Sequence, residues 1–288
     1  MKPWFLFTMA AIALWGLYGV AFKKAADGIP PLAGQVISSV GLLIPALFLI
    51  TAVWRERARR AGLWIGFGSG LFGAAGNLAL FASLNEGGKA AIVFPLTALY
   101  PLITVVIAII FMRETARLVQ GLGIALAIVA VVLLSAEPGS SLSQVHSFAH
   151  FAPWLLYAFA ALLMFGCAGV FQKLATNRLS AAAAFAMFAA GFIPASVLIC
   201  ALKPWPANLE HAPIVWALVG GLFNGLGVLA TLAAYRKGGK AAVVTPLAAL
   251  YPVVTVLVAV AFLGEKLTPA QTGGIALAIL GGLFLSRE

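Results

Sequence analysis

Charge is scarce in this chain. Of its 288 residues 63% are apolar and only 9% are charged, with a mean hydropathy of +1.07, a balance no water-soluble domain of this length could hide. The eight carboxylates, Asp27, Glu56, Glu86, Glu114, Glu137, Glu210, Glu265 and Glu288, all fall at the ends of apolar runs or between them. A proton relay needs an ionisable group within a span, so no carboxylate is evident for proton coupling. The nucleotide-binding machinery of an ATP-driven pump is also missing. Of the two cysteines, Cys167 and Cys200 sit inside apolar runs and suggest neither a disulfide nor a metal site. His146 and His150 are spaced i, i+4 in a polar stretch without further ligands and read as surface residues. No metal and no cofactor is expected. Gly68, Gly70 and Gly73 formally fit a dinucleotide fingerprint but follow no strand and lie inside an apolar run, where small residues serve helix packing.

Long hydrophobic runs are what the chain has instead. They cover about 4–22, 32–54, 63–84, 91–111, 118–135, 153–171, 181–202, 214–235, 242–262 and 270–286, each bounded by charge, Gly or Pro. The expected fold is an all-α integral membrane protein with ten transmembrane helices. The formal charge of +10 follows orientation rather than nucleic acid, and no nucleic-acid partner is expected. With the N-terminus inside, thirteen Lys and Arg fall on the inner side and five (Lys23, Lys24, Lys89, Lys203 and Lys266) on the outer. That asymmetry places both termini in the cytoplasm, and the chain is expected in a cell inner membrane.

The chain also repeats itself. Residues 87–128 reappear at 238–279 with 24 of 42 positions identical at an offset of 151. Residues 14–27 are echoed at 164–177 through Gly16/Gly166, Gly19/Gly169, Val20/Val170, Lys23/Lys173 and Ala25/Ala175. The first run therefore belongs to the repeat and is not a cleaved signal peptide. Two halves follow, 1–135 and 153–288, joined by an outer polar linker at 136–152. Five spans is an odd number, so the second half enters the membrane in the opposite sense. The halves are then inverted repeats around a central cavity, which supplies the two related conformations of alternating access.

Candidate site residues follow from this symmetry. Pro95 and Pro101 recur as Pro246 and Pro252; each removes a helical hydrogen bond and frees a carbonyl. Kinks facing a cavity and kinks made only for packing are both open readings. Tyr100 and Tyr251 precede the second prolines and are expected to gate or contact the substrate. Asn77 and Asn224 lie one turn apart in repeat register, either holding a neighbouring helix or binding a polar substrate group. Trp15, Tyr18, Phe81 and Phe165 could form an aromatic wall or pack against lipid. GGKAA places Lys89 and Lys240 at helix starts, as stations for a carboxylate or phosphate or as lysines snorkelling to headgroups.

The chain resembles the EamA type of the drug/metabolite transporter superfamily. The resemblance rests on Trp15–Gly16 and Phe165–Gly166, ALYP at 98–101 and 249–252, Glu114 and Glu265, and the QxxGIALAI segments opening at Gln120 and Gln271. It covers nearly the whole chain and implies a basket of helices 1, 3, 4, 6, 8 and 9 around the cavity, with 5 and 10 peripheral. The lysine of GGKAA departs from the small residue or proline expected in many relatives, which makes an anionic moiety on the substrate worth testing. The expected function is a carrier, not an enzyme, in the lipid bilayer as a monomer or homodimer. It would move a small polar organic metabolite, an amino acid or similar zwitterion first, with export as the expected direction, by facilitated diffusion or exchange. Uptake or exchange of a quaternary ammonium or phosphorylated metabolite is the alternative, and a lipid flippase the alternative from another class.

Overall fold

The structure, a computed structural model, describes residues 2–56, 59–100, 103, 118–134, 152–239, 244, 247–248 and 250–285. The apolar runs fold as α1 (Pro3–Ala26), α2 (Pro31–Arg55), α3 (Arg60–Asn85), α4 (Ala90–Thr97), α5 (Leu118–Leu134), α6 (Pro153–Thr176), α7 (Ala181–Ala190), α8 (Phe192–Leu202), α9 (His211–Arg236), α10 (Tyr251–Leu263) and α11 (Pro269–Leu285). No strand occurs among the described residues. Helix is the conformation that satisfies every backbone polar group within one apolar segment. Four of the helices start on a proline, where the missing N–H would have had no partner and φ is already helical. Gly87 and Gly238 follow α3 and α9 at φ 92° and 89°, left-handed turns that only glycine makes without strain.

Among the described residues six spans, α1, α2, α3, α6, α7 with α8, and α9, are long and apolar enough to cross a membrane. At about 1.5 Å per residue each exceeds the roughly 30 Å hydrocarbon core. The protein is a multi-pass membrane protein.

One expected span is divided. Residues 181–202 form two helices separated at Gly191, whose N–H is shared between the Met187 and Phe188 carbonyls at 3.1 Å each. Pro194 accounts for the break, because its ring cannot share the helix with the carbonyl four residues before it. The expected runs 91–111 and 242–262 are described only in part. Pro101, Pro246, Lys240, Glu114 and linker residues 136–151, including His146 and His150, lie outside the described residues.

Helix pairing runs between the halves. α1 packs along α9 and α3 along α6, α2 lies on α9 and α3 on α7, and α5 pairs with α11. In repeat register each of these contacts maps onto another or onto itself. The α2–α9 crossing has Gly41 on the Leu218 carbonyl and Gly221 on the Ser38 carbonyl. At the α3–α7 crossing Gly191 meets the Phe67 carbonyl and Gly70 the Phe188 carbonyl. At offsets of 150 and 151 these are the same four positions, so one crossing is made twice. Backbone touches backbone there, and a Cβ has no room.

The two ends of the bundle differ in charge. Where α1 and α3 finish and α4, α6 and α9 begin, Lys23, Lys24, Lys89, Lys203 and Lys266 are interspersed with Asp27, Glu86, Glu210 and Glu265. We call this the lysine end. The opposite, arginine end carries Lys2, Arg55, Arg59, Arg60, Arg178, Arg236 and Lys237, with Glu56 as its carboxylate among the described residues. Glu56 accepts from Ser180 N–H at 3.0 and 3.2 Å, and Arg59 donates to the Arg178 carbonyl at 2.7 Å. These bonds fasten the α2–α3 turn to the start of α7.

Candidate substrate site

A string of aromatic rings runs through the bundle where α1, α3, α4 and α10 meet. Trp15, Tyr18 and Phe22 occupy one face of α1 at i, i+3 and i+7. Trp15 meets Tyr251 edge-on with centroids 5.7 Å apart, and Tyr251 lies 6.4 Å from Phe94. Phe94 stands at 87° to Tyr18 at 5.6 Å, Tyr18 contacts Phe22 at 4.4 Å, and Phe22 contacts Phe81 at 5.1 Å. Such tilted and edge-to-face pairs are favoured by the ring quadrupoles. Of the residues expected in an aromatic wall, Trp15, Tyr18 and Phe81 come together, and Tyr251, expected to gate or contact the substrate, joins them. Phe81 is fully buried against Gly34, whereas Trp15 is half-buried. Phe165 stands apart, packed on Gly76 of α3 in the position that Trp15 takes on Gly227 of α9.

Glycines bring α10 and the residues that follow α4 onto the first helix of the opposite half. Val254 lies on Gly16 and Thr255 on Gly19, with the Thr255 hydroxyl donating to the Gly16 carbonyl at 3.1 Å. In the other half Ile103 lies on Gly166, and the ring of Tyr100 is 3.6 Å from where a Gly169 Cβ would stand. Between these contacts the backbone leaves α-geometry. Leu99 N–H bonds to Leu96 O at 3.2 Å and Tyr100 N–H to Thr97 O at 3.1 Å; Leu250 N–H bonds to Leu247 O and Val253 N–H to Leu250 O, both at 3.0 Å. These are tighter i to i−3 bonds, forced where Pro101 and Pro252 offer no N–H for the regular ladder. Tyr100 and Tyr251 therefore sit at matched irregular points. Pro252 is buried, as is Pro95 within α4.

The two asparagines have different surroundings. Asn77 is buried and largely committed: its Oδ1 accepts from Tyr18 OH at 2.9 Å, and its Nδ2 donates to Gln35 Oε1 at 2.7 Å and to Ser38 Oγ at 3.2 Å. Both amide hydrogens are used and one carbonyl lone pair remains. Asn224 is half-buried and makes no hydrogen bond to another described side chain or backbone group. Of the pair, Asn224 has the free amide.

At the lysine end, the amides at the start of α4 already hold an anion, and it is the protein's own. Ala90 N–H donates to Glu265 Oε1 at 2.9 Å and Ala91 N–H to Oε2 at 2.8 Å, while Lys89 Nζ donates to the Lys266 carbonyl at 2.7 Å. A carboxylate at a helix N-terminus satisfies orphan donors and the positive dipole end together. Lys89, expected either as a station for an anion or as a lysine snorkelling to headgroups, belongs here to a clamp between α4 and the end of α10. No group of three or more metal-ligating side chains occurs among the described residues.

The model of the EamA-like transporter family matches twice, over residues 2–136 and 152–287. The chain belongs to the EamA-like transporter family. This EamA-like transporter is also similar to an uncharacterized protein of Methanocaldococcus jannaschii, 47% identical over 60 residues. Those residues are 21% of this chain and 43% of that relative, so the relative is about half as long and less than half of it is spanned. A crystal structure of a protein superposes with a TM-score of 0.64 over 97% of this chain and 94% of its own, at 21% identity, which supports the fold.

Five residues of the EamA-like site escape a reading of the sequence. The role of Glu265 was hidden although its recurrence as Glu114 was visible, because its partners lie about 175 positions away. Gln35 and Ser38 carried a signal, polar residues at i and i+3 in an apolar run. Phe94 and Phe22 carried none beyond being aromatic.

Proposed function

We propose that this EamA-like transporter carries a small polar organic metabolite, an amino acid or similar zwitterion first, between two inverted five-helix halves that alternate in access. Export by facilitated diffusion or exchange is the favoured mode. The observation that supports it best is the meeting of Trp15, Tyr18 and Phe94 of the first half with Tyr251 of the second. A site built from both halves is remade when they rock against each other. Trp15, Tyr100 and Tyr251 would contact the apolar body of the substrate and Asn224 its polar group. The irregular backbone around Tyr100 and Tyr251 would take up the motion, with Pro95, Pro101, Pro246 and Pro252 keeping those helices from straightening. The arginine end would face the cytoplasm of an inner membrane and carry both termini.

Aromatic faces also suit a quaternary ammonium group, so uptake or exchange of such a compound is the second reading. The deciding experiment is counterflow in proteoliposomes preloaded in turn with amino acids, quaternary amines and phosphorylated metabolites. Saturable exchange of amino acids alone supports the first reading. Exchange of quaternary amines alone replaces it with the second, and movement of labelled lipid without any soluble exchange replaces both with a flippase.

A further inference from the structure

We propose that Gln35 and Ser38 are positioning residues for the substrate site, acting through Asn77 on Tyr18, and that they fix the site from the first half only. The functional part of this inference rests on the transport reading above.

The hydrogen bonds run in one direction. Ser39 Oγ donates to the Gln35 carbonyl at 2.7 Å, so it accepts from Gln35 Nε2 at 3.3 Å. Gln35 therefore turns Oε1 toward Asn77 Nδ2, Asn77 turns Oδ1 toward Tyr18, and the Tyr18 hydroxyl must donate. Ser38 reinforces this order, donating to the Gln35 carbonyl at 3.1 Å and accepting from Asn77 Nδ2 at 3.2 Å. The five side chains are all buried. The relay ends on the ring that packs against Phe94, and through Phe94 it reaches Tyr251.

The other half has no polar counterpart of this relay at the matching positions. In repeat register Tyr18, Gln35, Ser38, Ser39 and Asn77 correspond to Ala168, Phe185, Phe188, Ala189 and Val228, every one apolar and buried. The reciprocal helix crossings form all the same. Apolar side chains thus satisfy this architecture, and buried polar groups replaced as a set by apolar ones often leave stability unchanged. What the polar set adds is a single ring orientation for Tyr18. The site has one side fixed by this relay, from α1, α2 and α3, whereas the matching positions of the second half hold no polar counterpart, so a substrate is held in one orientation rather than two.

The test uses the full-length protein with 3-fluorotyrosine at its five tyrosines, in detergent or lipid nanodiscs, with the Tyr18 resonance assigned by Tyr18→Phe. In Gln35→Leu the Tyr18 fluorine signal shifts and broadens while that of Tyr157 holds. In counterflow with the most rapidly exchanged amino acid, Gln35→Leu raises KM roughly five- to tenfold with kcat within about twofold, the loss expected for one hydrogen bond acting on binding. Ser38→Ala, which removes one hydroxyl, moves the same signal by less and serves if Gln35→Leu does not fold. Ser69→Ala removes a buried α3 hydroxyl bonded only to its own helix at Gly66 and changes neither readout. An unmoved Tyr18 signal in both relay variants overturns the positioning. A moved signal with unchanged KM overturns its bearing on the site. If no probe exchanges, the transport reading fails by itself, and the fluorine signal still decides the relay.

Discussion

The Glu265 carboxylate accepts from Ala91 N–H at 2.8 Å, tying the end of α10 to the start of α4 across the two halves. With the Ala90 bond it fills two orphan donors of α4 with a charged acceptor, and charge-assisted bonds are the stronger kind. Glu265→Ala should cost about 2 kcal/mol in a denaturant titration in micelles, with Glu265→Gln, which keeps one acceptor, costing less. Equal stability of wild type and Glu265→Ala would show that the clamp contributes nothing.

The paired crossings give a sharper contrast. Gly221→Ala and Gly70→Ala each drive a methyl into a carbonyl of the facing helix, and overpacking of this kind costs about 1–3 kcal/mol or more. Both variants should lose monodisperse protein on size exclusion in detergent. Gly121→Ala meets open space and should behave as wild type. Tolerance of alanine at both crossings would disprove the close approach.

The asparagines separate stability from binding. Asn77→Val introduces the residue that the second half carries at this position, but strands the Tyr18 hydroxyl and the Gln35 side-chain Oε1, at a cost of about 1–3 kcal/mol. Asn224→Val breaks no hydrogen bond among the described residues and should leave unfolding within about 0.5 kcal/mol of wild type. Its effect should be a raised KM in counterflow. The opposite assignment, with Asn224→Val unfolding and Asn77→Val merely weakening binding, would refute this division.

Orientation is open to chemical labelling. In a chain freed of Cys167 and Cys200, cysteines placed at Trp205 and at Lys237 report the lysine and arginine ends respectively. A membrane-impermeant maleimide on intact cells should label the first and reach the second only after permeabilisation. The reverse pattern would turn the transporter over.

Much of the fold is legible because it recurs. The apolar runs place the helices, and Gly16, Gly19, Gly166 and Gly169, seen first as marks of duplication, turn out to be the seats for Val254, Thr255, Ile103 and Tyr100. The site was harder to read because its chemistry is what does not recur. Phe94 corresponds to Thr245, Phe22 to Gln172 and Gln35 to Phe185, so a search for shared positions passes over them. Hydrogen-bond partners on different helices, such as Gln35 and Asn77 at a separation of 42, leave no periodic trace. Symmetry in the sequence finds the scaffold, and departures from symmetry mark the places where a scaffold has been specialised.

The duplicated glycine crossings set the terms on which the two copies can diverge. Docking asks only that Gly41, Gly70, Gly191 and Gly221 keep their bare backbones, since the carbonyls they meet belong to any residue type. A fusion of two first halves would keep every crossing and carry two relays, and a fusion of two second halves would keep every crossing and carry none. Ancestry is therefore written in the seams between the copies, while the interior of each copy has been left free to adapt to a cargo.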